Sequence, residues 1–151
     1  MDTEGRRAVV GRVVVGREVA PEAVGAVLGL GEGVLALVRR RVFALEGKVV
    51  ALAVSWLDAE LVAGTAVERV DSGPGGIYAR LGELGRGPVR FREEVRARMP
   101  SGAEGEALGL AVGTPVVLVC RTAYDAEGRV VEVNEMTLDA SAYVLEYAFD
   151  A

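Results

Sequence analysis

The sequence predicts an α+β domain built around one antiparallel sheet, and three observations carry that reading. A segment recurs at a spacing of about 80 residues. Each copy holds a β-hairpin signature, and each hairpin follows a short helix with recognisable ends. In the repeat, Val9, Arg12 and Val15 fall on Val89, Arg92 and Val95, LGLGEG (28–33) on LGLAVG (108–113), and Arg41 on Arg121. One extra residue in the second turn then brings EGKVV (46–50) onto EGRVV (127–131) and LDA (57–59) onto LDA (138–140). The order is the same twice: strand, short helix, long strand, tight turn, strand.

The first helix opens at Pro21, a residue suited to a first turn because its missing N–H would be unpaired there anyway. The second opens at Ser101 with Glu104 three residues on, a capping box in which each side chain takes the other's backbone N–H. Leu-Gly-Leu closes both. In each hairpin, β-branched residues flank Glu-Gly, the glycine supplying the turn. Residues 61–88 have no counterpart in the repeat; Gly73, Pro74, Gly75 and Gly76 form a loop there, and Ile77–Leu84 a short helix. At the C-terminal end YVLEYAF (143–149) reads as a last strand.

With 151 residues, 51% of them hydrophobic, the chain is long enough to bury one core. Residues 1–10 read as a tail or linker remnant and residues 11–151 as the domain. A net charge of -5 is the wrong sign for a chain that itself neutralises nucleic-acid phosphates. Histidine is absent, which removes imidazole acid–base relays, serine triads and the commonest metal ligand. No catalytic residue, metal site or cofactor is therefore assigned. Cys120, inside VVLVCRT, reads as a small buried hydrophobe. Glycine and arginine interrupt every apolar run well short of a membrane span, so no membrane partner is expected and the cytoplasm is the expected compartment.

The run VRRRVFALEGKVVALAVSW (38–56) sets three arginines in an apolar stretch. On a strand Arg39, Arg41 and Phe43 share one face, and Arg40, Val42 and Ala44 the other. A four-residue second loop, Asp125–Gly128, places Arg121 opposite Glu132, a cross-strand pair worth about 0.2 to 1 kcal/mol. A three-residue first loop, Leu45–Gly47, leaves Arg41 facing Ala51, with no acid opposite. Such an arginine either meets a ligand anion or lies near an edge with its stem packed and its head in water. The GPGG loop has the same two readings, an anion seat at a helix start or a plain connection; it matches neither a Walker A loop nor G-x-G-x-x-G.

Taken in order, RRRVFALEGKVV, GGIYARLGELG, the LGLAVGTPVVLVCRTAYDAEGRVVEV run and DASAYVLEYAF resemble the UTRA ligand-sensing domain of HutC-branch, GntR-type bacterial transcription regulators, over roughly residues 11–150. The resemblance implies a chorismate-lyase-like fold, a homodimer, and a pocket for a small effector that alters operator affinity. DNA would be met only through a winged-helix domain that MDTEGRRAVV is too short to hold, so the expectation is a truncated regulator or a free-standing sensor. An interaction module that modulates full-length regulators and an enzyme on a lyase-like fold are the alternatives.

Carried over residue by residue, the resemblance makes Arg41 the pocket arginine of the first hairpin. Phe43 and Ala53 stand where phosphosugar-binding relatives have arginine and glutamate. Gly76, after Gly75, stands where a serine is common, Tyr78 keeps the family tyrosine, and Leu138 replaces another. Glu132 matches the acidic residue of the second hairpin, with Asn134 two residues on. The candidate ligand-binding set is thus Arg41, Phe43, Gly75, Gly76, Tyr78, Arg121, Glu132 and Asn134. Its lost polarity points to an effector that is partly apolar with one anionic or polar end.

Overall fold

Valine- and leucine-rich runs bounded by glycine turns become six strands: β1 (Val9–Val19), β2 (Leu35–Leu45), β3 (Lys48–Asp58), β4 (Arg90–Arg98), β5 (Val116–Tyr124) and β6 (Val130–Asp139). The computed structural model describes residues 8–151. All neighbouring strands run antiparallel in one sheet, in the order β1-β2-β3-β6-β5-β4. That order reads the same from either edge: each repeat lays down three strands, and the two repeats meet at the β3–β6 seam. β1 starts two residues before the boundary at residue 11.

Four short helices complete the fold: α1 (Glu22–Leu28), α2 (Ala59–Val62), α3 (Gly76–Glu83) and α4 (Gly102–Leu108). α4 has the expected capping box from Ser101 and Glu104. α1 begins one residue later than expected, with Pro21 as its N-cap rather than in its first turn. Both end in left-handed glycines, Gly29 at φ 72° and Gly109 at φ 58°, a conformation that carries a steric cost for any residue with a Cβ. α1 rests on β6 and β3, and α4 on β3. Each repeat's helix therefore lies on the inner strand of the other.

The period-2 alternation of the strands divides the core between two faces. On one, Ala36, Val38, Trp56 and Val133 pack against Ala20 and Val24 at α1. On the other, Leu37, Leu57, Ala123 and Val131 pack under α2, α3 and a 3-10 turn at Ala66–Glu68. Leu37, Leu57 and Leu81 are almost wholly buried there, each worth roughly 1.5 to 3 kcal/mol relative to exposure. Residues 61–88, the stretch without a repeat counterpart, thus supply the cover for half of one face.

Both hairpin registers differ from expectation, by one residue from the turn and one from a bulge in each case. The first loop holds two residues, Glu46 and Gly47, both at positive φ, so Leu45 pairs with Lys48. A register shift between Phe43 and Ala44 then sets Arg41 opposite Ala53 instead of Ala51. In the second hairpin Tyr124 pairs with Val130, and a shift between Ala123 and Tyr124 sets Arg121 opposite Asn134. A bulge inserts one residue into one strand and displaces every later pair, which loop length alone does not reveal. The C-terminal stretch is a further correction. Tyr143 makes one isolated bridge and residues 144–151 are irregular; they run beside the sheet's cavity instead of extending the sheet.

Candidate functional site

One cross-strand row organises the site. Val15, Arg39, Ser55, Asn134, Arg121 and Glu93 stand side by side across all six strands, on the face that α3 covers. On one side of this polar row lies the apolar cluster under α2 and α3. On the other lies a second apolar cluster, Ala51, Val119 and Leu138 with Phe43, Val117, Met136 and Tyr143. Over this second cluster opens a cavity of about 510 Å³. Phe43, Ala51, Ala53, Val119, Met136 and Leu138 contribute from the sheet, residues 143–147 from the C-terminal stretch, and the charged lining residues are Arg121, Glu93 and Glu146.

The three consecutive arginines do three different things. Arg39 is buried and donates to the backbone carbonyls of Val67 at 2.7 Å, Val70 at 3.1 Å, and Arg69. It fastens the segment before α3 to the sheet. Arg40, on the opposite face, pairs with Glu18 and stacks 5.8 Å from the Trp56 ring centroid. Arg41 donates to Ser55 Oγ at 2.6 Å and Asn134 Oδ1 at 3.0 Å. Its Nε is buried without a hydrogen-bond partner, and among the described residues no carboxylate forms an ion pair with it. Burial works against its charge, with Glu132 and Tyr78 opposing that effect. β2 lies inside the sheet, so none of the three is an edge arginine.

α3 delivers Tyr78 to the same region. Its hydroxyl donates to Glu132 Oε1 at 2.6 Å, and Glu132 is only 1% exposed. Burial first, and then Glu132, push the Tyr78 hydroxyl well above the usual phenol range. Alternation with Asn134 places Glu132 on the face that α3 covers, and the bulge beyond it lets Val131 join the apolar cluster there as well. Gly75 and Gly76 begin α3 with φ of 80° and 69°. Arg80 closes the loop before them by donating to the Ser72 and Pro74 carbonyls at 3.0 and 3.2 Å. A Cβ on Gly75 would stand 2.8 Å from the Ala79 Cβ, so glycine there serves the tight helix entry.

Arg121 does not meet Glu132. Its Nε and terminal nitrogen reach Glu93 Oε1 at 2.8 and 2.6 Å, and its guanidinium lies 5.5 Å from the Phe91 centroid. The other Glu93 oxygen accepts from the Tyr147 hydroxyl at 2.7 Å. Of the eight candidates, Phe43 and Arg121 line the cavity directly. Arg41, Asn134, Glu132 and Tyr78 form the adjoining polar cluster, while Gly75 and Gly76 shape the entry to α3. Glu93, Ser55 and Tyr147 were missed. At a spacing of 80 Glu93 falls on Val13, so the repeat concealed it; its alternation with Val95 and Arg121's need for an acid were the available signals.

The UTRA domain family matches residues 3–144, and the chain belongs to that family. It is 35% identical over 121 residues to an uncharacterised HTH-type transcriptional regulator of Streptomyces coelicolor, a match covering 78% of this chain and 45% of that protein. The chain thus spans about half the length of that relative. Among solved structures it resembles the effector domain of PhnF from Mycobacterium smegmatis, with a TM-score of 0.78 and 23% identity over 95% of this chain and 86% of that one. It also resembles the ligand-binding domain of a GntR-family regulator from Bordetella bronchiseptica, with a TM-score of 0.79 and 22% identity over 99% and 95% of the two chains. The C-terminal domain of the histidine utilization repressor from Pseudomonas syringae pv. tomato gives a TM-score of 0.71 and 18% identity over 93% and 100%. These likenesses establish the shared chorismate-lyase-like fold. Among the described residues no helix is long and apolar enough to cross a membrane.

Proposed function

We propose that this UTRA domain binds a small effector in the cavity beside the polar row, as the sensor part of a GntR-type, HutC-branch transcription regulator. The observation that carries this reading is a largely apolar cavity of about 510 Å³ that holds Arg121, with Arg41 and its orphaned Nε next to the lining residue Phe43. A ligand with an apolar body and an anionic or hydrogen-bonding end fits both parts: the body displaces water from the Phe43, Met136 and Leu138 surface, and its polar end satisfies the guanidinium groups. Binding without turnover is favoured because the Tyr78 hydroxyl is committed to Glu132 and held protonated, which leaves no poised acid–base pair.

In this reading residues 11–151 form the sensor, two copies associate as a homodimer in the cytoplasm, and a winged-helix domain outside this chain contacts DNA. The net charge of -5 supports leaving DNA to that domain. Native mass spectrometry of the purified protein, followed by thermal melts with the molecules it retains, tests the effector site. The expected result is one dominant small molecule whose stabilisation is lost in Arg41→Met. A protein that retains nothing, and that no amphiphilic compound stabilises, overturns the reading. Sedimentation velocity at micromolar concentration should show a dimer; monomer alone counts against the assembly.

A further inference from the structure

Arg121 carries a carboxylate already, and that carboxylate belongs to the protein. Glu93 Oε1 takes two of the guanidinium's donors, at 2.8 and 2.6 Å, and Oε2 takes the Tyr147 hydroxyl at 2.7 Å. All three side chains line the cavity. A carboxylate bound by a guanidinium on one oxygen and a phenol on the other is the arrangement a ligand carboxylate would adopt. Glu93 sits on the edge strand β4, with an 18% exposed side chain, so water is at hand to receive it when it swings away. Tyr147 is held more loosely: it is 56% exposed and lies in an irregular segment.

Resting on the effector-site reading above, we infer that Glu93 is a built-in competitor that occupies the anion seat on Arg121, so that an anionic ligand enters by displacing it and thereby releases Tyr147. The site then prefers ligands whose anionic group beats a tethered carboxylate, and weakly basic or neutral molecules gain nothing at this seat. Displacement also removes Tyr147's hydrogen-bond acceptor. Because Tyr143, Val144 and Leu145 flank the same cavity, freeing Tyr147 loosens the segment that borders the ligand. Occupancy of the seat is thus coupled to the position of residues 143–147, and one event both fills the cavity and unlatches its border.

Two fluorescent probes separate the parts of this inference: 1-anilinonaphthalene-8-sulfonate, an aromatic anion, and N-phenyl-1-naphthylamine, its uncharged analogue. Glu93→Gln keeps the shape and removes the competitor; it should bind the sulfonate about tenfold more tightly than the native protein and the amine about equally. Glu94→Gln makes the same change of charge one residue away, on the opposite face of β4, and should leave both affinities within about twofold. In spectra of ¹³C-tyrosine-labelled protein, the Tyr147 signal, assigned with Tyr147→Phe, should move on adding the sulfonate and take the same position in unliganded Glu93→Gln. The inference fails if Glu93→Gln gains nothing for the sulfonate, if the amine gains equally, if Glu94→Gln matches the gain, or if Tyr147 does not move. If neither probe enters the native protein or Glu93→Gln, the effector-site reading itself falls; amine binding without the sulfonate gain leaves that reading standing and removes only the competitor.

Discussion

Arg41 and Asn134, 93 residues apart in the chain, share a hydrogen bond of 3.0 Å across β3. One belongs to each repeat, so the polar row joins the two halves at the place where the ligand's charged end is expected. The Nε of Arg41 is buried and without a partner, which separates this arginine from its two neighbours in sequence and gives each a different mutational signature.

Arg39→Met removes the donor from three carbonyls of the 67–70 segment and should cost about 3 kcal/mol, because hydrogen bonds to a charged group are the stronger kind and their loss strands acceptors away from water. Arg40→Met removes a pair whose two side chains are each nearly half exposed and should cost less than about 1 kcal/mol. Arg41→Met takes the donor from Ser55 and Asn134 but also removes a buried charge lacking an ion-pair partner, so the net loss in the unliganded protein should be well below that at Arg39, about 1 kcal/mol. Urea denaturation of the three variants checks the order; a loss at Arg41 equal to that at Arg39 would make Arg41 a structural residue.

Tyr78→Phe should destabilise more than Arg121→Met. The first leaves the buried carboxyl of Glu132 without its hydroxyl donor, a loss of about 1 to 3 kcal/mol. The second breaks a pair with Glu93 whose arginine side chain is 37% exposed, a loss of about 1 kcal/mol. Had Arg121 faced Glu132, the order would be reversed. Denaturant midpoints of the two variants decide between the arrangements.

Glu104 gives the fold an acid-side dependence. Arg98's hydrogen bonds, assisted by Ser101 and opposed by burial, hold its carboxyl down at about 2 from an ordinary 4.5. A group depressed in the folded state stabilises fully above its unfolded value, and that contribution drains away as pH falls from about 4.5 towards about 2. Glu104→Gln preserves the capping-box geometry and lacks the titration. Melting temperatures of the two proteins should therefore differ at neutral pH and converge in acid.

Tyr78 gives an alkaline counterpart. Its folded-state phenol is raised above 10.0 by burial and Glu132, so the stability linked to it is complete below pH 10 and is lost as pH climbs through the raised value. Phenolate absorbance during an alkaline titration should show Tyr78 ionising last, together with unfolding. In Tyr78→Phe that late step should be missing.

The repeat made the sheet legible, because two copies of strand, helix and hairpin leave little freedom in how six strands are laid out. Ser101, Glu104 and the two Leu-Gly-Leu ends fixed the helices for local reasons of capping and left-handed glycine. The pairings were harder to read. In the second hairpin a longer turn and a bulge each shift the register by one residue, and together those two residues decide whether Arg121 meets Glu132 or Asn134. The meeting of Glu93 with Tyr147 was out of reach for a different reason: it joins an edge strand to an irregular segment 54 residues away in the chain, and neither periodicity nor turn chemistry speaks to such a contact. The arginines show the same limit, since Arg39 and Arg41 share a face yet one holds a loop and the other binds Ser55 and Asn134.

The exchange of helices across the seam has one more consequence. With α1 resting on β6 and α4 on β3, each half completes its interior with a helix of the other, so the chain resembles an intertwined pair of protomers fused end to end. Such a fusion releases the two copies from identity while keeping them inseparable. The halves differ at one matched position, with Val13 opposite Arg41 and Glu93 opposite Arg121, and the proposed ligand site lies where that symmetry is broken.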